Sequence, residues 1–249
     1  MPPAPRLRLS ECLKTFCPYD IVSSVINCIG DFMKIAFLIL FALDAALHLW
    51  SRLSARKTLN RVTKALLLLL LAAWYLTAAD PVRPIVLAAI LFSWLGDVLL
   101  IPDGTGWFVA GGISFAVSHV CFMLSYLRHI RFAILPWWLI ALSVAVCAAA
   151  VLLIFRSLRP HLPKLLFWPM MFYLFVNGVM NCFAAWQHLS ALNLVSAVAC
   201  LGALLFFVSD SLLFYVRFAE KYRDRPHFWV MLTYTLAEFL IVWSLAGMK

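Results

Sequence analysis

Residues 64–104 read KALLLLLLAAWYLTAADPVRPIVLAAILFSWLGDVLLIPDG, and this stretch decides the class of fold. Two apolar runs, at 64–79 and 84–101, are separated by a turn rich in proline, and a second turn follows at Pro102. Because about 20 mostly apolar residues cross the hydrocarbon core of a bilayer, the pattern predicts two consecutive membrane helices. The first run is short for a span. The second contains one acid, Asp97.

The same pattern continues on both sides of this stretch. Six further apolar runs lie near residues 31–50, 107–127, 132–155, 165–187, 191–215 and 228–248. Hydrophobic residues make up 65% of the chain and charged residues 12%, a balance that a soluble domain could not bury. We therefore predict an all-α fold, a polytopic membrane helix bundle with about eight transmembrane helices at 31–249. Residues 1–30 are predicted to form a separate amino-terminal segment that can lie at the membrane interface.

The positive charges follow the loops. The chain has a net charge of +9, but its Lys and Arg residues lie mostly between the apolar runs, which argues against a nucleic-acid partner. Counting them on alternate sides gives twelve against eight, so we expect the twelve-charge side to be cytoplasmic. The expected location is an integral, multi-pass one, in the endoplasmic reticulum membrane of a eukaryote or the cytoplasmic membrane of a bacterium.

Few ionisable side chains lie inside the apolar runs. An ionisable group in hydrocarbon costs roughly 2.5–3.5 kcal/mol on insertion scales, so such positions are functional or tightly paired. Asp44, Asp97 and Asp210 each lie four to six residues before the end of a run that points to the twelve-charge side. We expect the three carboxylates to share one depth, and we predict that Asp97 and Asp210 form a catalytic pair.

Polar residues at helical spacing indicate a shared interior cavity. Tyr173 and Asn177 are four residues apart, as are Tyr234 and Glu238, and Ser93 precedes Asp97 by the same interval. An interhelical hydrogen bond remains an open alternative for several of them, and Asp44 can also pair with His48. The predicted binding or supporting residues are Asp44, Lys64, Ser93, His119, Tyr173, Asn177, Ser209, Ser211, Tyr234 and Glu238.

The sequence lacks the usual marks of metal or serine chemistry. His48 and His119 are the only histidines clearly inside the runs, too few for a zinc site with about three ligands. Ser209 and Ser211 flank Asp210, but a serine nucleophile needs a base such as histidine, which this helix does not provide. We expect no metal and no cofactor.

Several motifs in chain order resemble one known family. They are Phe92-Ser-Trp-Leu-Gly-Asp97-Val-Leu-Leu, Phe108 with Gly112, Phe115 and His119, Tyr173 with Met180, Gly202-Ala203 with Phe206-Phe-Val-Ser-Asp210-Ser, and Thr233-Tyr234 with Ala237. From about Lys64 to Trp243 the chain resembles the YhhN family of eight-helix lysoplasmalogenases. The sequence departs from that family's pattern at Glu238, where Gln is expected, at Thr235 and at Phe122.

The resemblance implies hydrolysis of the vinyl ether bond of a lysoplasmalogen, releasing a fatty aldehyde and a glycerophospho-base. The family's acidic motif residues correspond to Asp97 and Asp210. The expected partners are the lysophospholipid substrate and membrane lipids, and Lys64, Arg156, Lys164 and Arg217 are candidates to meet the phosphate. Two other functions stay open, a proton-coupled transporter and a non-catalytic lipid-binding membrane protein.

Overall fold

Proline, glycine and polar residues set where the helices begin and end. The computed structural model describes residues 18–54, 56–219 and 227–248, with the backbone alone for 18–27. In this part of the chain eight α-helices are present, and short 3₁₀ turns lie at Phe132–Ile134, Arg159–His161 and Lys164–Leu166. The helices are α1 (Pro18–Leu53), α2 (Lys57–Ala78), α3 (Pro84–Leu99), α4 (Thr105–Leu127), α5 (Trp137–Leu158), α6 (Phe167–Ala191), α7 (Leu194–Phe218) and α8 (Phe228–Gly247).

Seven of these helices are long and apolar enough to cross a membrane, so the chain is an integral, multi-pass membrane protein. The exception is α3, whose 16 residues extend about 24 Å. The sequence had indicated instead that the run at 64–79 was too short to span. That was wrong, because α2 begins at Lys57 and includes polar residues before the apolar run. The turn at Pro102 and Gly104 follows α3 closely, and α3 ends at Leu99.

The first helix extends across the predicted boundary at residue 30. Helix α1 runs without interruption from Pro18 to Leu53, and its apolar portion is Cys28–Leu53. Residues 1–17 and the side chains of 18–27 lie outside the described residues. An interfacial position for the amino-terminal segment therefore stays a prediction.

Seven helices surround a common interior. Helices α1 to α4 pack in chain order, α4 then packs against α6, and α6, α7 and α8 follow in turn. Helix α8 also contacts α1, α2 and α3, which closes the arrangement. Helix α5 lies outside and packs mainly on α6, burying only Val151, Phe155 and Leu158. The interior is therefore formed by every helix except α5.

Two glycines let neighbouring helices pack closely, and they are Gly96, next to Asp97, and Gly202, about two turns before Asp210. A Cβ atom on Gly96 would lie 2.7 Å from the ring of Phe115, so α3 and α4 can meet only because this residue has no side chain. A Cβ atom on Gly202 would lie 2.8 Å from Cγ1 of Ile241, which has the same consequence for α7 and α8. The first contact packs α3 against α4 beside Asp97, and the second packs α7 against α8.

Candidate active site

The carboxylate of Asp97 joins three helices. Nζ of Lys64 on α2 lies 3.3 Å from Oδ1 of Asp97, and the hydroxyl of Tyr234 on α8 donates a hydrogen bond of 2.7 Å to Oδ2. All three side chains are buried. Because a buried carboxylate needs a cation or hydrogen-bond donors, the Lys64 ammonium and the Tyr234 phenol explain how α3 carries an acid here. These residues form the Asp97 cluster.

The carboxylate of Asp210 has a different set of neighbours. The hydroxyl of Tyr173 donates a hydrogen bond of 2.5 Å to Oδ2, and Nδ2 of Asn177 donates one of 2.6 Å to the same oxygen. Oδ1 accepts no hydrogen bond from the residues that the structure describes. Both donors are neutral and lie one turn apart on α6, as their spacing predicted. We call Asp210, Tyr173, Asn177 and the adjacent His119 the Asp210 cluster.

Aromatic rings connect the two clusters. The ring of Phe206 lies 5.5 Å from that of Tyr234 in the Asp97 cluster and 4.6 Å from that of His119 in the Asp210 cluster, measured between centroids. The ring of Phe115 contacts both Phe206 and Tyr234 edge to face. Edge-to-face contacts of this kind are favourable for aromatic rings and fill the space between the two clusters with side chains.

A polar cavity of about 510 Å³ lies at the ends of α1, α3 and α7 and the beginnings of α2 and α8. Both Asp97 and Asp210 line it. It lies on the side with the larger number of positive loop charges, as expected for the paired acids. Six cations also line it, namely Arg52, Arg56, Lys57, Arg61, Lys64 and Arg217. With Asp103 as the third acid, positive groups outnumber negative ones, so the cavity favours an anion.

The positive charge of this cavity affects the pKa of His227. It lies just before α8, outside the spanning segments, and lines the cavity. Burial lowers the pKa of His227, and the nearby cations Arg52, Lys64 and Arg217 lower it further. The imidazole is therefore neutral at physiological pH, and the positive charge of the cavity comes from Lys and Arg alone.

An apolar cleft of about 620 Å³ lies between α4 and α6. Aliphatic and aromatic side chains line it almost throughout, and its polar groups are Tyr173 and Asp210. The cleft and the polar cavity share five residues, which are Leu100, Phe108, Phe115, Asp210 and Leu213. Asp210 thus lies where a cationic compartment and an apolar one meet.

The expected interval of four to six residues between each acid and the end of its helix was wrong. Asp97 lies two residues before the end of α3, Asp210 eight before the end of α7 and Asp44 nine before the end of α1. The intervals differ among the three helices, so the count does not establish a common depth. Asp97 and Asp210 nevertheless line one cavity, whereas Asp44 lines neither cavity.

Asp44 and Glu238 are two further buried acids. Oδ2 of Asp44 and both carboxyl oxygens of Glu238 have no hydrogen-bond partner in the described part of the chain. The partner suggested for Asp44 was His48, but Nδ1 of His48 lies 2.8 Å from Oγ1 of Thr63 instead. Glu238 is fully buried one turn from Tyr234 and lines neither cavity.

The predicted serines make structural hydrogen bonds. Oγ of Ser93 lies 2.8 Å from Oγ of Ser118, which links α3 to α4. Ser209 lines the polar cavity and donates to the carbonyl of Val230, while Ser211 donates to a carbonyl of its own helix. Of the four predicted phosphate contacts, Lys64 and Arg217 line the polar cavity. Arg156 and Lys164 line neither cavity.

The basic lining contributed by α2 was predicted from the sequence only at Lys64. Lys57, Arg61 and Lys64 lie at intervals of four and three residues, which places them on one face of the helix, with Asn60 beside them. That spacing was available as a signal, but of these residues only Lys64 was predicted as part of the site, and Lys57 and Arg61 were counted as loop charges. Arg52 at the end of α1 was missed for the same reason, although it lines the same cavity.

The arrangement can move protons with its own side chains. One carboxyl group has an ammonium partner, and the other is surrounded by neutral donors, so the two acids differ in environment within one cavity. Paired carboxyl groups of this type can supply a proton on one side of a reacting bond and stabilise positive charge on the other. Among the described residues no group of three or more His, Cys, Asp or Glu is placed to hold a metal ion.

Comparison with known proteins identifies a family. The model of the YhhN family matches residues 59–245, about three quarters of the chain. The matched range contains both clusters and the lining of the apolar cleft. No curated protein and no solved structure matches the chain.

Proposed function

Because the chain belongs to the YhhN family, we propose that it is a membrane-embedded hydrolase that cleaves the vinyl ether bond of lysoplasmalogens. The products are a fatty aldehyde and glycerophosphoethanolamine or glycerophosphocholine. One observation carries the proposal: Asp210 lines both the cationic cavity and the apolar cleft, and Asp97 lines the cationic cavity beside it. A lysoplasmalogen has a charged head, one hydrocarbon chain and a vinyl ether between them.

The two compartments fit the two ends of this substrate. The phosphate lies among the cations of the polar cavity, where Arg and Lys groups form charge-assisted hydrogen bonds with its oxygens. The hydrocarbon chain lies in the apolar cleft. This arrangement positions the vinyl ether next to Asp210, at the junction of head and chain.

The reaction consumes one water and needs a proton donor. Asp210 gives its proton to the β-carbon of the vinyl ether, and the electrons of the double bond form the new C–H bond, leaving an oxocarbenium ion. Water then attacks the α-carbon and returns a proton to a carboxylate, which gives a hemiacetal. The hemiacetal C–O bond to glycerol breaks, the glycerol oxygen takes a proton, and the hydroxyl proton leaves as the aldehyde forms.

The different surroundings of the acids suggest different roles. Asp97 has the ammonium of Lys64 at 3.3 Å, so it acts as the anion that stabilises the oxocarbenium ion through the cavity. Asp210 has the neutral donors Tyr173 and Asn177 on one oxygen, which leaves Oδ1 to carry the proton. The assignment follows from charge and hydrogen bonding.

The test is aldehyde release by the purified protein in detergent. The parent protein should release aldehyde from a lysoplasmalogen and none from the matching lysolipid with a saturated ether, which cannot be protonated to an oxocarbenium ion. Asp210→Asn should lose at least about 10²-fold in turnover, the low end for general acid catalysis. Asp31→Asn, which changes an exposed acid of α1, is the matched control and should keep the parental rate.

The same preparation separates the alternatives. A lipid-binding protein would bind the lysolipid without releasing aldehyde, and a proton-coupled carrier would move it across a vesicle membrane without cleaving it. An absence of aldehyde from any vinyl ether lysolipid would therefore reject the hydrolase.

A further inference from the structure

The apolar cleft is open toward the lipid phase. Trp168, Phe172 and Ile113 line the cleft and are largely exposed, on helices that are buried in a membrane. The cleft is therefore a window between α4 and α6 through which hydrocarbon can reach the interior. A closed binding pocket would have buried such large apolar side chains.

Gly112 leaves this window free. It lines the cleft on α4, and a Cβ atom placed on it would meet no atom within 4 Å. By contrast, a Cβ atom on Gly111, its neighbour in sequence, would lie 3.0 Å from the side chain of Leu100. Close packing thus explains Gly111 but not Gly112, where the missing side chain leaves open space in the cleft.

We infer that the window between α4 and α6 is the lateral entrance for the hydrocarbon chain of the lysolipid, and that Gly112 keeps it open. The inference rests on the proposed function and names the route by which the substrate reaches Asp210. Continuity supports a lipid as the occupant, because the apolar cleft joins a cationic cavity at Asp210 and residues on both sides of the junction are shared. An amphiphile with one chain and an anionic phosphate matches both halves.

The route has a consequence for chain length. A long-chain lysolipid partitions into the bilayer, since each buried CH₂ contributes about 0.8 kcal/mol, and it must enter from the side. A short-chain analogue stays in water and can reach Asp210 through the polar cavity. Blocking the window should therefore impair the long-chain substrate selectively.

The experiment replaces Gly112 by Ala, Leu and Phe, with Gly106→Phe as the control. Gly106 lies on the same helix, and a Cβ atom there also meets nothing within 4 Å, but it does not line the cleft. We expect kcat/KM for a long-chain lysoplasmalogen to fall with side-chain size, by at least ~10-fold for Gly112→Phe. For a water-soluble short-chain analogue, kcat/KM of the same variants should stay within about threefold of the parental value. Gly106→Phe should leave the ratio of kcat/KM for the long-chain substrate to kcat/KM for the short-chain analogue unchanged.

Equal losses for both substrates in Gly112→Phe, or no loss for either, would overturn the lateral entrance. If the parent protein releases no aldehyde at all, the proposed function fails, and the entrance is then judged by binding. A long-chain lysolipid with a saturated ether should raise the Tm of the parent and raise that of Gly112→Phe less. Equal increases in Tm would reject the entrance independently of the reaction.

Discussion

Nε2 of His119 lies 3.6 Å from Oδ2 of Asp210, just beyond hydrogen-bonding distance, and neither ring nitrogen of His119 has a hydrogen-bond partner among the described residues. The ring is fully buried between Tyr173 and Phe206. An unpaired polar ring in a membrane interior is costly to the fold. Its position next to the proposed proton donor supplies a functional reason for keeping it.

His119→Phe distinguishes the packing contribution of the ring from the contribution of its two nitrogens. Phenylalanine keeps the contact with Phe206 and removes two buried polar atoms that have no partner, so stability should be unchanged or higher by about 1 kcal/mol. Aldehyde release should fall by at least about 10²-fold if the imidazole exchanges protons with Asp210 during turnover. Thermal unfolding and turnover are measured on one preparation. Near-parental turnover would show that only the ring matters.

The two acids should behave as one unit. Asp97→Asn and Asp210→Asn should each lower turnover by at least ~10²-fold, and the double variant should be little slower than the worse single one, because each acid depends on the other in the same step. Single-turnover rates on the four proteins test this. Fully multiplicative losses would mean that the acids act independently.

The buried pair of Lys64 and Asp97 makes a prediction for stability. Lys64→Met leaves an unpaired carboxylate and Asp97→Asn leaves an unpaired ammonium, so each should destabilise the fold, the former by ~3–5 kcal/mol. Combining them removes both charges and should recover part of the loss. Tm values of the two single variants and the double variant form the cycle. A double variant that loses the sum of both single effects would contradict the pairing.

The stability of the protein should depend on pH through His129, which follows α4 on the side of the membrane opposite the polar cavity. Nδ1 of His129 lies 3.1 Å from the carbonyl oxygen of Ser125, and Nε2 lies 3.0 Å from Nη1 of Arg83. A carbonyl only accepts and a guanidinium only donates, so the neutral ring carries its proton on Nδ1. Arg83 also donates a hydrogen bond of 2.6 Å to the carbonyl of Met248, which fixes the end of α8.

Burial lowers the pKa of His129, and the guanidinium groups of Arg83 and Arg128 lower it further, against an opposing effect of the hydrogen bond to Ser125. The unfolded chain therefore binds a proton at a higher pH than the folded protein does. Stability is fully present above the unfolded pKa of about 6.5 and is lost as the pH falls through the folded value, by at most ~1.4 kcal/mol per pH unit. His129→Gln keeps an acceptor for Arg83, so its Tm should fall less on acidification. If the Tm values of the parent protein and of His129→Gln fall in parallel as the pH is lowered, His129 is not the source of the pH dependence.

The sequence alone determined the class of fold and a short set of candidate acids. Eight apolar runs predicted eight helices, and the cost of charge in hydrocarbon limited the candidate acids to a few residues that include Asp97 and Asp210. Both signals are local and need no knowledge of neighbouring helices. The four-residue spacing of Tyr173 and Asn177 likewise predicted two donors on one face of α6.

Only the tertiary structure decided how these pieces combine. Tyr234 lies 137 residues from Asp97 along the chain, and periodicity on one helix cannot choose a partner on another. The short α3, the cationic face of α2 beside Asp97 and the meeting of two cavities at Asp210 all depend on helix heights and rotations. Packing between helices sets those quantities, through contacts such as those of Gly96 and Gly202, and apolar runs of similar composition carry little information about it.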